Sequence, residues 1–311
     1  MDQISTASSY AAVVANLNKA QKAINDAGTQ ISTGENATDL KGYAAHDETL
    51  IAMQSLNAQV SGYLSSGQIL TDKLSNQNTA ITQIQGAASQ AVHDITNAIA
   101  SGDGSSLMQI LGVDFQNAVN GLNTTYNGSY MFSGGQVQTQ PFTGTSMASL
   151  TASPLASLFH NDQDVTSSQI NQKTTIQTGF LASQLGTPLM TAFQQVEAFA
   201  QGPNGPFSGP LTTTQITFLN GVIANFNTAS QGLTTAAAQN GLAQSELTSA
   251  TTDLTNQQTT LQNLMGDITN ANMAQASANL QQAQLALQAS SQVFINLNSS
   301  SLLNVLTAAG Q

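Results

Sequence analysis

A chain of 311 residues is long enough to bury a core and hold one to three domains, yet only 7% of it is charged, against roughly a quarter in average proteins. The 5 cations are all lysines and the formal charge is −11, which excludes nucleic acid as a partner, because counterion release needs clustered Lys or Arg. With no cysteine there is neither a disulfide framework nor a thiolate metal site, and no run reaches the ~18 apolar residues that insert across a membrane.

The N-terminus, MDQISTASSYAAVVANLNKAQKA, has no basic region followed by an apolar run, so it is no Sec signal and export would need another route. Tyr10, Val13, Leu17, Ala20, Ile24, Ala27 and Ile31 keep a strict 3-4 alternation, the seam of a left-handed coiled coil, and Gly34 in STGEN supplies the stop. A longer seam runs from Met53 through Leu56, Val60, Tyr63, Leu70, Leu74, Ile81, Ile84 and Ile95 to Ala98. It predicts a helix of roughly 70 Å at 1.5 Å per residue. SGDGSS at 101–106 breaks it, and a third helical stretch is expected to about Tyr126.

The middle changes character. Tyr130-Met131-Phe132, bounded by Asn-Gly and Gly-Gly pairs, reads as a strand between turns, and QINQKTTIQTG alternates as extended chain does. All 6 prolines fall between Pro141 and Pro210, so this part is loop-rich, with a short helix expected near 188–201. From Leu211 the helical period returns through Ile216, Leu219, Phe226, Leu233, Leu247, Leu254, Leu261 and Ile268. A terminal seam follows at Met273, Ala276, Leu280, Ala283, Leu287, Ser290, Phe294 and Leu297, shifted from the one before it, so a break is expected near Asn270–Asn272. The predicted fold is mainly α: long antiparallel coiled-coil arms from both termini with a small central β-containing domain. The expected divisions are an assembly helix over 1–40, inner-bundle helices over 41–130, an outward β/irregular domain over 131–210, a returning helix over 211–266 and a second assembly helix over 267–311.

No side chain after Asp267 is charged, although Leu285, Val293, Ile295, Leu302, Leu303, Val305 and Leu306 add apolar positions off the terminal seam. Charges would cost several kcal/mol each if buried unpaired, whereas small and amide-bearing side chains let helices approach one another. The expectation is that copies of the chain enclose these arms. The assembly positions are Tyr10, Val13, Leu17, Ile24, Ile31, Met273, Leu280, Leu287, Phe294, Leu297, Leu302, Leu303 and Leu306.

The N-terminal AINDAGTQISTGENATDLKGYA and the C-terminal GDITNANMAQASANLQQAQLALQASSQVFINLNSSSLLNVL together resemble the flagellin superfamily, over roughly 1–130 and 210–311. Within it, YNGSYMFSGGQVQTQPF and FHNDQDVTSSQINQKTTIQTG are similar to the small middle region of hook-associated proteins of the hook–filament junction. The resemblance implies export through the flagellar type III channel, paired terminal helices packed into tubes, and an extracellular place in the flagellum. The partners implied are copies of the chain, hook-associated proteins and flagellin, and an export chaperone. Filament flagellin shares the arms and stands as the alternative, with a surface adhesin on the same scaffold a third. The sequence departs from the family pattern at STGEN, at Asn272, where an acid is common, and at ITQIQGAASQAV, which lacks Arg and Glu. The last departure implies a poor ligand for the animal receptor that recognises some flagellins.

His46, His93 and His160 are isolated, HNDQDV at 160–165 lacks the Gly and Glu of a calcium loop, and no G-x-S-x-G elbow or H-E-x-x-H helix occurs. No catalytic, cofactor or metal constellation is expected, and the protein reads as structural, not enzymatic.

Overall fold

The computed structural model describes the backbone of residues 2–308 and the side chains of residues 8–299. The chain divides into two compact units, one made from its two ends, up to Gln59 and from Gln257 onward, the other from Val60–Asn256.

In the terminal unit, α1 (Asp2–Thr33) packs antiparallel against α7 (Met273–Ala308). α1 ends where its seam predicts: Gly34 takes φ 74°, a left-handed cap that glycine reaches without Cβ strain, and its N–H donates to Gln30 O at 2.9 Å. The chain then runs through a short 3₁₀ turn at Leu40–Tyr43, closed by the Tyr43 hydroxyl, which donates to Ala37 O at 2.6 Å. Asp47 opens α2 (Asp47–Ser101). The expected break before α7 is present, since α6 (Thr213–Thr269) stops three residues short of Met273. Asn272, where the family pattern favours an acid, still caps the new helix, its Oδ1 accepting from Ala274 N and Gln275 N, both at 3.1 Å.

In the middle unit, α2 from Val60 and α6 up to Asn256 lie antiparallel. Gln85 Nε2 donates to Thr234 Oγ1 at 2.9 Å, Ser89 and Ser230 meet at 3.3 Å, and Asn240 Nδ2 donates to Leu74 O at 2.8 Å. Against this pair sit α3 (Leu107–Leu122), a one-turn α4 (Ser149–Ala152) with a 3₁₀ turn at Leu155–Leu158, and α5 (Ala182–Gln201). Their shared core holds Ile81, Ile84, Ile95, Leu107 and Leu111. An edge-to-face aromatic chain extends it, with Phe115–Phe142 at 6.4 Å, Phe115–Phe193 at 5.8 Å and Phe193–Phe226 at 4.9 Å.

The sheets are small. β1 (Thr125–Tyr126) and β2 (Ser129–Tyr130) pair around Asn127 (φ 51°) and Gly128 (φ 78°), the left-handed pair that suits a two-residue hairpin. β3 (Ser167–Gln169) and β4 (Thr175–Gln177) form a second hairpin, whose Ile170 and Ile176 bury against Leu70, Leu74, Ala243 and Leu247.

Three expectations need adjusting. The third helix ends at Leu122 instead of Tyr126, because the chain turns into β1. Only Ser129 and Tyr130 pair as strand; Met131 and Phe132 leave it to enter the core, at 7% and 0% exposure. The short helix starts at Ala182, not 188, with Pro188 inside it. Leu185 and Leu189, a helical step apart, bury one face across the proline.

Candidate assembly surface

The seam of α1 and the seam of α7 are used first on each other. Val13, Ala20 and Ala27 are buried, while Tyr10, Leu17, Ile24 and Ile31 are half-buried. On α7, Ala276 and Ala283 are buried, Leu280, Leu287, Ser290, Phe294 and Leu297 are half-buried, and Met273 is exposed. Small residues therefore occupy the centre of the contact and larger ones flank it, an arrangement that lets two backbones approach closely. Tyr10 and Phe294 close one end with ring centroids 5.0 Å apart. Leu302, Leu303, Val305 and Leu306 lie outside the described side chains.

Beside this contact the pair leaves an open groove of about 540 Å³, lined by Ala20, Ala23, Ala27, Ala283 and Ala286 and also by polar Lys19, Asp26, Gln30, Asn279 and Gln282. Off the seam, Leu285 is 66% exposed, Ile295 58% and Val293 47%, and on α1 Val14 is 39% exposed. The seam periodicity singled out neither Val14 nor the groove alanines Ala23 and Ala286. Leu285, Val293 and Ile295 were legible only as apolar residues out of phase with it.

The polar positions explain how the pair manages with little charge, and α7 with none. Gln21 donates to Asn25 at 3.2 Å, Gln275 to Asn279 at 2.9 Å and Gln292 to Asn296 at 3.3 Å, each one helical turn apart. Amides that satisfy each other along one helix can be covered at small cost, whereas an ion would lose its hydration. The only ion pair among the described residues is Lys22–Asp26 on exposed α1, at 2.7 Å.

Away from this pair, the HNDQDV segment is a structural turn. The Asp162 carboxylate accepts from Gly135 N at 2.9 Å and Asp164 N at 2.9 Å, and His160 Nε2 meets Thr143 Oγ1 at 3.2 Å. Among the described residues no three His, Asp or Glu side chains are grouped to hold a metal, and no helix is long and apolar enough to cross a membrane.

The chain matches the bacterial flagellin N-terminal helical region over residues 4–137 and the bacterial flagellin C-terminal helical region over 223–306. No curated protein sequence matches it. Its fold is similar to a flagellar hook-associated protein from Vibrio parahaemolyticus (TM-score 0.59, 13% identity, covering 72% of this chain and 97% of that one). It is also similar to FlgL from Bacillus cereus (TM-score 0.53, 14% identity, covering 70% of this chain and 99% of that one).

Proposed function

The chain belongs to the bacterial flagellin family, and from that premise we propose that it joins hook to filament, assembling through the outward faces of α1 and α7. It is a structural, self-assembling component of the flagellum. The observation that carries the assembly reading is α7, which has no charged side chain yet exposes Leu285, Val293 and Ile295 to water. A helix face without ions that exposes several large apolar side chains marks an interaction site. Copies of the same chain supply a cover of matching chemistry. The expected assembly residues, Tyr10, Val13, Leu17, Ile24, Ile31, Met273, Leu280, Leu287, Phe294, Leu297, Leu302, Leu303 and Leu306, act in two ways in this reading. The buried and half-buried ones hold α1 to α7, and the outward ones meet neighbours.

The junction role draws on the small middle and on the likeness to a hook-associated protein and to FlgL. Its neighbours would be hook-associated proteins on one side and flagellin on the other, with a chaperone shielding the terminal helices before export and no chemical reaction performed. Gold-labelled antibody on isolated hook–filament preparations tests it. A ring of label at the end of the hook is the expected result. Label along the filament would instead identify a flagellin, and label on neither would overturn both.

A further inference from the structure

Asp114 is a carboxyl group in the wrong place for an ordinary acid. It sits on the inner face of α3, in line with Leu107, Leu111, Ala118 and Gly121, and is only 3% exposed. Its Oδ2 has no N–H or O–H donor among the described residues. The group within hydrogen-bond reach is a second carboxyl, Asp94 on α2, which Gln90 Nε2 steadies at 3.1 and 3.2 Å. Two ionised carboxylates cannot hydrogen-bond to each other, so a direct bond between them requires that one hold a proton.

Among the described residues no cation forms an ion pair with either carboxyl. Of the titratable groups on the elements around α3, α2 contributes His93 beside Asp94, the preceding turn Asp103, and α5 only Glu197, which Gln201 Nε2 engages at 2.7 Å. The segment after α3 contributes Tyr126, Tyr130, His160, Asp162, Asp164 and Lys173, the last on the hairpin that packs near Leu70 and Leu74, and the middle part of α6 contributes Glu246 and Asp253. The nearest lysine on α2 is Lys73, about 30 Å away along the helix at 1.5 Å per residue.

We propose that Asp94 and Asp114 form a proton-dependent clasp between α2 and α3, closed while they share one proton and released when it is lost. Closure holds α3 where Gly121 packs on Ile84 and where Gln83 Nε2 donates to Asn117 O at 3.1 Å. Release leaves two like charges facing each other at a buried contact, and α3 loosens from α2 as water enters. Burial first, then the negative charge of Asp94 and its hydrogen bond, push the Asp114 carboxyl up to about 7. Because that folded value lies above the unfolded one, the folded chain binds the extra proton. The stabilisation is complete below the ordinary carboxyl range and fades as pH rises through about 7.

The test is thermal unfolding of the dilute full chain, followed by circular dichroism from about pH 5 to pH 9. The wild-type midpoint should fall from the acid end of that range to about pH 7 and level off above it. Asp114→Asn, which keeps the shape and donates to Asp94 at every pH, should flatten that fall and melt higher than wild type at the alkaline end. If Asp114→Asn fails to fold, Asp94→Asn serves the same purpose, because it removes the like charge and should shrink the slope. Carboxyl ¹³C signals of Asp-labelled protein give a second readout, in which one aspartate should titrate near neutrality. Variants that retain the wild-type slope, or aspartates that all titrate in the ordinary range, would overturn the clasp.

Discussion

Asn36, just past the end of α1, donates its side-chain amide to the carbonyls of Ile268 and Asn270, at 3.0 and 3.1 Å, where α6 gives way to α7. Its backbone N–H donates to Thr269 O at 2.7 Å, and Ala271 N returns a bond to Gly34 O at 2.8 Å. One residue thus satisfies carbonyls left without helical partners at a helix C-terminus. Asn36→Asp would replace the donor with an acid facing carbonyl oxygens, at the negative end of the helix dipole. The expected cost is about 1–2 kcal/mol of local stability. It should be seen as faster hydrogen exchange at the 266–271 amides, with Asn36→Ala intermediate. Unchanged exchange in both variants would mean that the break is held by α1 and α7 alone.

The exposed apolar residues of α7 give a sharper test of assembly. Leu285 is 66% exposed and Ile295 58%, so Leu285→Glu and Ile295→Lys need not disturb the α1–α7 contact. Helix content by circular dichroism should stay near wild type. Incorporation into the flagellum should fall by a factor of ten or more, because each ion would be buried unpaired, at a cost of several kcal/mol. Normal incorporation of the double variant would show that this face meets water in the assembly.

How legible these features were follows from period and length. The α1 and α7 seams, the Gly34 stop and the break before Met273 were readable because long helices repeat their pattern many times and a phase shift stands out. The central region was read less well, since strands of two or three residues carry almost no periodicity. Tyr130-Met131-Phe132 has strand composition, yet Phe132 is wanted by the core and not by a ladder. The groove alanines were invisible for another reason: Ala23 and Ala286 matter for the space they leave, and an alanine in a helix carries no signal of its own. Asp114 carries no sequence signal of its own, being one polar residue on α3, and only its facing partner on α2 gives it chemistry.

Two glycines of α3 separate packing from helix propensity. A Cβ at Gly121 would lie 2.5 Å from Ile84 Cγ1 and 3.2 Å from Ala80 O, whereas one at Gly112 meets nothing within 4 Å. Gly121→Ala should therefore destabilise the middle unit by about 1–3 kcal/mol, as overpacking does. Gly112→Ala should stabilise it by roughly 0.5–1 kcal/mol through helix propensity. Urea unfolding of the two single variants checks the opposite signs. The same sign for both would mean that α3 is not docked on α2 at Ala80 and Ile84.

Gln77 makes the most counterintuitive case. It is 0% exposed in the seam between Leu74 and Ile81, and neither its Nε2 nor its Oε1 has a hydrogen-bond partner. On the facing helix, Asn240 is 1% exposed and spends its Nδ2 on Leu74 O, leaving Oδ1 without a partner. A buried amide without partners costs about 1–3 kcal/mol, so Gln77→Leu should raise stability by that order while filling the same space. Asn240→Ala should lower it by about 1 kcal/mol, since it loses a made bond. Buried amides in a seam can also specify register, as alternatives would bury them against apolar layers. The pair Gln77→Leu with Asn240→Leu should accordingly melt higher yet populate more than one pairing of α2 with α6, visible as doubled methyl signals in NMR spectra. A lower melting midpoint for Gln77→Leu alone would mean that its amide is satisfied in solution, and the case for a register-setting layer would go with it.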